Sequence, residues 1–275
     1  MTMKRVLDGI GLGIVAFGGL CCGLAIGFQL QPAVASHAHE AALRDGGLTR
    51  SVLSNDGAFR RGIMASEGKR VIMPDVVIPP VSNGLAPVIG RIETTQPVVF
   101  LTIDDGNYKG KSVVATMKRY HLRASLFLAD LFIWHDPQFF SQLMKLGSVI
   151  ENHTDRHDLK MVQQSYEYQR REICTMTDAV MRYYGKSPTL FRPPGGRYNQ
   201  DTQRAAAACG MRAVVMWSAR VENGVVEYQD GRTALRPGDI VLTHFRPEFE
   251  KDIAAFVTAK NDAKLRVDII ENWIR

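Results

Sequence analysis

Val98-Val99-Phe100-Leu101-Thr102-Ile103 is the stretch on which the fold is read. Apolar but for one threonine and rich in β-branched residues, it suits a short strand buried on both faces. It runs into Asp104-Asp105-Gly106, and a helical pattern follows from about Lys111 to His121. A second strand is expected at Ala124-Ser125-Leu126-Phe127-Leu128-Ala129. Pro137 opens a helix that Gly147 closes, and Ser148-Val149-Ile150 makes a third strand. A long helix is predicted over 161–184 with Gly185 as its cap, then a strand at Leu190-Phe191, a helix over 200–209 and a strand over 213–217. Ile240-Val241-Leu242-Thr243 is the last clear strand, with helices at about 248–260 and 266–274. Such alternation from 98 to 275 implies parallel strands joined by helical crossovers. A doubly wound sheet or a barrel, complete or not, satisfies that pattern.

The flanking sequence and the composition narrow the class. Of 275 residues, 45% are hydrophobic and 23% charged, which excludes a disordered, collagenous or coiled-coil chain. A net charge of +6, spread without a basic block, admits an anionic polymer as partner and does not indicate nucleic acid. Lys4 and Arg5 precede a run from Gly9 to Phe28 without charged or strongly polar side chains, and Ala33-Val34-Ala35 offers a small-x-small cleavage pattern before Ser36. Residues 1–35 are therefore expected to be a signal peptide or, through residues 9–28, a membrane tether, with the remainder outside the cytoplasm. Residues 36–97, with scattered Gly and Pro, read as a linker and extended lead-in to a domain over 98–275. Removal of the first 35 residues leaves two cysteines, Cys174 and Cys209, whose pairing the sequence does not decide.

Polar residues gather where the expected strands end. Asp104-Asp105-Gly106 follows the first, His153-Thr154-Asp155-Arg156-His157 the third, Arg192-Pro193-Pro194-Gly195-Gly196 the fourth, and His244 the last. Singly each has a bland reading: a solvated turn, a chance pair on a helical face, a stiff bend. In a barrel, however, the carboxyl ends of the strands are where functional groups converge. Two imidazoles and one carboxylate make a three-ligand site that leaves a zinc-like ion an open position. Adjacent carboxylates on a strand end point in different directions, so one can bind the ion while the other accepts a proton from water. A nearby arginine would orient the second carboxylate, and a separate histidine would protonate an amine leaving group. The combination reads as metal-assisted hydrolysis of an amide or ester.

The same residues resemble a known family. Thr102-Ile103-Asp104-Asp105-Gly106 is similar to the Thr-Phe-Asp-Asp-Gly motif of the polysaccharide deacetylases, the NodB-homology enzymes of carbohydrate esterase family 4. His153 to His157 resembles their His-Ser/Thr-x-x-His motif, Phe191 to Gly196 their Arg-Pro-Pro segment, and Leu242-Thr243-His244 their closing Leu-x-His. The resemblance spans about 98–275 and implies a distorted (β/α) barrel with fewer than eight complete units. It implies that Asp105, His153 and His157 hold a divalent metal, zinc first and cobalt or another ion as alternatives. It further implies Asp104 as base, His244 as acid, Arg192 orienting Asp104, and the Gly195 N–H stabilising an oxyanion. The implied reaction removes N-acetyl groups from an N-acetylglucosamine-type polysaccharide such as peptidoglycan or a chitin-like polymer, releasing acetate.

One position departs from the family pattern. Trp217-Ser218-Ala219-Arg220 carries an arginine where relatives have an aspartate that supports the catalytic histidine. Glu222 is a candidate substitute, and Arg220 either perturbs His244 or meets an anionic substrate. Two alternatives follow: a non-catalytic carbohydrate-binding relative, and an O-acetyl esterase of the xylan type, whose alcohol leaving group needs less acid assistance. Trp134, Trp217 and Tyr198 are equally suited to a sugar groove or to packing.

Overall fold

β2 (Val98–Asp105) is the strand on which the sheet is assembled, and every residue of it except Asp105 is buried. The computed structural model describes residues 74–273; the amino-terminal apolar run, the cleavage pattern and the first part of the expected linker lie outside them. Side chains alternate along β2 as a pleated strand requires. Val99, Leu101 and Ile103 belong to the cluster shared with the surrounding helices, whereas Val98 and Phe100 belong to an inner cluster with Phe127, Ile240 and Trp273. Both faces are therefore apolar, which is why the stretch reads as a continuous run.

The remaining elements follow in the order β1 (Val88–Ile89), which precedes β2, then α1 (Lys111–Arg119), β3 (Ser125–Leu128), α2 (Asp130–Ile133), α3 (Gln138–Met144) and β4 (Val149–Asn152). After these come α4 (Tyr166–Tyr184), β5 (Leu190–Phe191), α5 (Gln200–Ala208), β6 (Ala213–Val215), β7 (Ala219–Glu222), β8 (Val225–Tyr228), β9 (Ile240–His244), α6 (Phe249–Asp262) and β10 (Arg266–Asp268). They form one ten-stranded sheet in the order β1-β6-β5-β4-β3-β2-β9-β7-β8, with β10 also paired to β2. All pairings are parallel except the β7–β8 hairpin. No helix lies between β6 and β7, so the strand–helix alternation breaks there and the result is an incomplete, distorted (β/α) barrel.

Register places the strand ends side by side. Asp104 is opposite Phe127 on β3 and His244 on β9, Leu128 is opposite Asn152, and Asn152 is opposite Phe191. The residues after β2, β4, β5 and at the end of β9 thus share one rim. Helix boundaries are fixed locally. Ser165 accepts a hydrogen bond from the Tyr168 N–H at the start of α4, an N-cap worth about 1 kcal/mol, and Gly185 closes the helix at φ 71°. Asn199 and Thr202 form a reciprocal capping box on α5. A disulfide joins Cys174 on α4 to Cys209 just beyond α5.

Several sequence expectations are corrected. The helix expected over 266–274 is a strand followed by a 3₁₀ turn, Ile270–Trp273. Pairing with Val98–Phe100 captures that segment, and the buried Trp273 packs edge-on against Phe100 at 5.5 Å inside the barrel. Sealing an aromatic ring of that size contributes about 1.5–3 kcal/mol, which outweighs weak local helix propensity. The long helix begins at Tyr166, because residues 161–163 form a separate 3₁₀ turn. The β7–β8 hairpin and the short α2 were not anticipated, being short and mixed in polarity. Of the expected linker, residues 74–97 are described and packed: Ile78, Ala86 and Ile92 are buried, and β1 pairs with β6.

A pair of acids meets beside β3 and β4. Glu151 on β4 is buried and accepts hydrogen bonds from the Thr189 and Leu190 N–H groups at 2.7 and 2.6 Å. Glu271 accepts from the Ser125 hydroxyl at 2.8 Å. Burial and mutual repulsion push Glu151 well above the usual carboxylate range, and burial pushes Glu271 up to about 7. Raised acids stabilise the fold while protonated, so their contribution is complete below about pH 4.5 and is lost as pH rises through 7. The melting temperature is expected to fall between pH 5 and 8. Glu271→Gln, which keeps the shape without the charge, should flatten that decline by several degrees in a calorimetric pH series; an unchanged slope would rule the pair out as its source.

Candidate active site

The two aspartates at the end of β2 do not diverge as strand alternation suggests. Asp104 follows Phe100 and Thr102 on the inner face and is 2% exposed, so it is not part of a solvated turn. Asp105 adopts φ 75°, a left-handed conformation that ends the alternation and brings its carboxylate back to the same pocket. Gly106 makes this possible: at φ 89° a Cβ there would lie 2.7 Å from Ile133.

The histidine segment is a loop, not a helical face, with Thr154 and His157 both at positive φ. It is tied down from below. The Asn152 side chain donates to the Ile173 carbonyl and accepts from the Thr154 N–H, while Glu172 on α4 accepts from the Arg156 N–H. Asn152 is fully buried by these bonds, which removes the glycosylation sequon that Asn152-His153-Thr154 spells. His153 Nδ1 lies 2.7 Å from the Arg192 carbonyl oxygen, an acceptor only, so Nδ1 carries the proton and Nε2 presents its lone pair. That lone pair faces Asp105 Oδ1 at 3.5 Å, and His157 Nε2 is 3.2 Å from the same oxygen. One ligand atom from each of Asp105, His153 and His157 lies within 4.8 Å of the others.

These three residues fit a divalent cation. Asp105 Oδ1 is buried without a hydrogen-bond partner, the donor set is the one zinc-type ions prefer, and the second nitrogen of His153 is already fixed by a carbonyl. Burial works against the charge on Asp105, but His153 and His157 outweigh it and hold the carboxyl far below its ordinary range. Burial likewise disfavours charge on His153, yet Asp104 and Asp105 raise it. Two carboxylates drawing a proton onto an imidazole mark a site with a deficit of positive charge, which a cation fills.

Arg192 organises the other side. Its guanidinium is completely buried and donates to Asp104 Oδ1 at 2.6 Å, to Thr102 Oγ1 at 2.8 Å, and to the carbonyls of Val215 and Met216 at 3.1 Å each. Phe127 stacks on it at 4.3 Å. Asp104, Asp105, His153, His157, Gly195 and His244 line one pocket of about 150 Å³, with Leu159, Trp217 and Leu242 as apolar wall. All the site residues expected from the sequence except Arg192 therefore border the same space, and Arg192 lies directly behind Asp104.

A profile of the polysaccharide deacetylases matches residues 91–214, a span that contains Asp104, Asp105, His153, His157, Arg192 and Gly195. The chain belongs to the polysaccharide deacetylase family. It is 34% identical over 196 residues to an uncharacterised protein of Streptomyces coelicolor, covering 69% of this chain and 78% of that one. It is 28% identical over 161 residues to a peptidoglycan-N-acetylglucosamine deacetylase of Bacillus cereus, covering 57% and 70%. Its fold is similar to that of a family pseudoenzyme from Bacillus anthracis, with a TM-score of 0.59, 19% identity and 70% of each chain covered.

For a deacetylase-family site, the surroundings of His244 are unusual. Arg220, standing at the family's usual aspartate, pairs across the hairpin with Glu227 at 2.7 Å and reaches Glu222 at 3.6 Å. Glu222 is held below the usual range by the Arg246 guanidinium, 2.6 Å away, and Arg246 also binds the buried Asp252. Neither Arg220 nor Glu222 hydrogen-bonds His244. Arg246 and Asp252 were not singled out in the sequence, since nothing in their local pattern announces a contact across β7 and α6. Trp217 lines the pocket, whereas Trp134 and Tyr198 are 52% and 41% exposed.

Arg192→Met should destabilise the fold by about 3–5 kcal/mol, because Asp104 is left buried without its cation. Urea denaturation checks this, and adding Asp104→Asn to the same chain should recover part of the loss. A double variant no more stable than the single one would show that the pairing is not the cause.

Proposed function

We propose that this protein is an exported, metal-dependent deacetylase that removes N-acetyl groups from a peptidoglycan-type polysaccharide. The observation that carries the reading is the buried, unpartnered Asp105 Oδ1 facing His153 and His157 across from the Arg192-bound Asp104. Asp105, His153 and His157 would hold a divalent ion, zinc in preference, which when bound supplies Lewis acidity to an acetyl carbonyl and acidifies water. Asp104 accepts the proton of the attacking water, and Arg192 fixes the carboxylate so that Oδ2 stays turned toward the pocket. The Gly195 N–H assists the oxyanion, and Gly195 at φ 63° lets the chain bend sharply beside it. His244, across the pocket, returns a proton to the departing amine. Trp217 and Leu242 form an apolar wall suited to the acetyl methyl.

Export is supported by the Cys174–Cys209 disulfide, a bond that persists in oxidising compartments. Among the described residues no helix is long and apolar enough to cross a membrane; the apolar run over residues 9–28 is the candidate tether. Peptidoglycan is supported over neutral polymers by the Bacillus cereus relative and by the net charge of +6. A pseudoenzyme among the structural neighbours makes activity itself the thing to measure.

Purified protein stripped with chelator should release acetate from peptidoglycan only after Zn²⁺ or Co²⁺ is restored. His153→Ala should abolish metal binding and acetate release together. His244→Ala should keep the metal and lose about 10²–10⁴-fold in kcat, the usual contribution of a general acid. Tight metal binding with no acetate from any acetylated glycan would overturn the catalytic reading in favour of a binding protein.

A further inference from the structure

The rim of the pocket is not evenly charged. On the β7–β8 side each charge has a partner: Arg220 with Glu227 and Glu222, Arg246 with Glu222 and Asp252. Across the pocket, two loops meet. Leu159 Cδ2 lies 3.3 Å from where a Cβ on Gly195 would stand, and the Asn199 side chain donates to the Val162 carbonyl at 3.0 Å. These contacts bind residues 159–162 to residues 195–199 as one lip. Leu159, Gly195 and Gly196 line the pocket itself.

The lip exposes two cations and two apolar side chains. Lys160 and Arg197 are exposed, and neither forms an ion pair among the described residues. The nearest acid in sequence, Asp158, is already engaged, with Oδ1 accepting from the Lys160 N–H and Oδ2 from the Tyr168 hydroxyl. Leu159 and Tyr198 are 53% and 41% exposed on the same lip. A flat ring and an aliphatic side chain beside unpaired ammonium and guanidinium groups suit one ligand chemistry: a sugar whose face stacks and whose substituent is a carboxylate. Because Arg197 is adjacent to a residue lining the pocket, that sugar would be a near neighbour of the one being deacetylated.

We infer that the lip formed by Leu159, Lys160, Arg197 and Tyr198 is a subsite for a carboxylate-bearing sugar, which makes the enzyme selective for anionic over uncharged N-acetylated glycans. This rests on the deacetylase reading above and names its specificity. Arg197 and Lys160 act by attraction to the carboxylate, so the preference is sensitive to salt.

The test measures affinity and turnover of the metal-loaded full chain on three glycans of equal length. One is an uncharged chito-oligomer, one a peptide-free peptidoglycan oligomer carrying only its sugar carboxylates, and one the same oligomer with stem peptides. The peptide-free oligomer should bind about tenfold tighter than the chito-oligomer at low salt, and the difference should shrink as salt rises. Lys160→Ala/Arg197→Ala should reduce that ratio about tenfold, acting on KM rather than kcat, while Lys118→Ala/Arg119→Ala on α1 serves as a charge-matched control. Equal affinity for the two peptide-free oligomers would overturn the inference, as would a preference that survives the double variant or appears only with stem peptides. Binding is read separately from acetate release, so an inactive protein would refute the deacetylase reading while the binding ratio alone upholds or overturns the lip.

Discussion

A single buried guanidinium connects the parts of this protein that matter for its chemistry. Arg192 leaves β5 and, without reaching solvent, binds Thr102 and Asp104 on β2 and the carbonyls at the end of β6. Its own carbonyl accepts from His153, so one residue fixes the orientation of a carboxylate with its side chain and the tautomer of an imidazole with its backbone. A fully buried arginine is tolerable only when its donors are matched, and here three oxygens besides Asp104 accept from it. Burial pulls its pKa down and Asp104 pushes it part of the way back, so the buried cation depends on its anion. Loss of either partner would disturb β2, β5 and β6 together.

The barrel carries its titratable groups in two clusters. At the carboxyl ends of the strands stand the carboxylates and imidazoles of the candidate site. Elsewhere, beside β3 and β4, Glu151 and Glu271 lie close together, and burial favours their protonated forms. Phe100, Phe127 and Trp273 belong to the apolar cluster of the interior. The carboxyl-terminal segment is thereby part of the barrel rather than an appendage, because Asp268 on β10 accepts from Arg123, Asn272 and the Trp273 indole.

The departure at Arg220 changes the neighbourhood of His244 less than its charge suggests. Register on the β7–β8 hairpin sets Glu227 directly opposite, and an exposed cross-strand pair of this type is worth little while cancelling the local charge. Glu222 is engaged by Arg246 instead of His244. His244 thus stands beside Trp217 and Leu242 in the pocket wall with neither Arg220 nor Glu222 bonded to its ring, unlike the family arrangement that the sequence resembles.

The sequence by itself determined the strands that carry the candidate site and the residues that make it. An apolar run such as Val98–Ile103 has few other uses; Asp104 and Asp105 end β2, His244 ends β9, and His153, His157 and Arg192 follow β4 and β5, so parallel pairing brings their backbones to one rim. It could not decide what depends on distant partners. The turn of Asp105 into the pocket needs the space beside Ile133 that Gly106 leaves, and the histidine loop needs Asn152 and Glu172 to hold it out of a helix. The carboxyl-terminal segment looked helical because propensity is local, and it became a strand because β2 offered an unpaired edge and Phe100 a partner for Trp273. Pairings such as Arg246 with Glu222, Glu151 with Glu271 and Cys174 with Cys209 join elements far apart in the chain. No spacing encodes them, since only the packing of helices and strands sets which side chains meet.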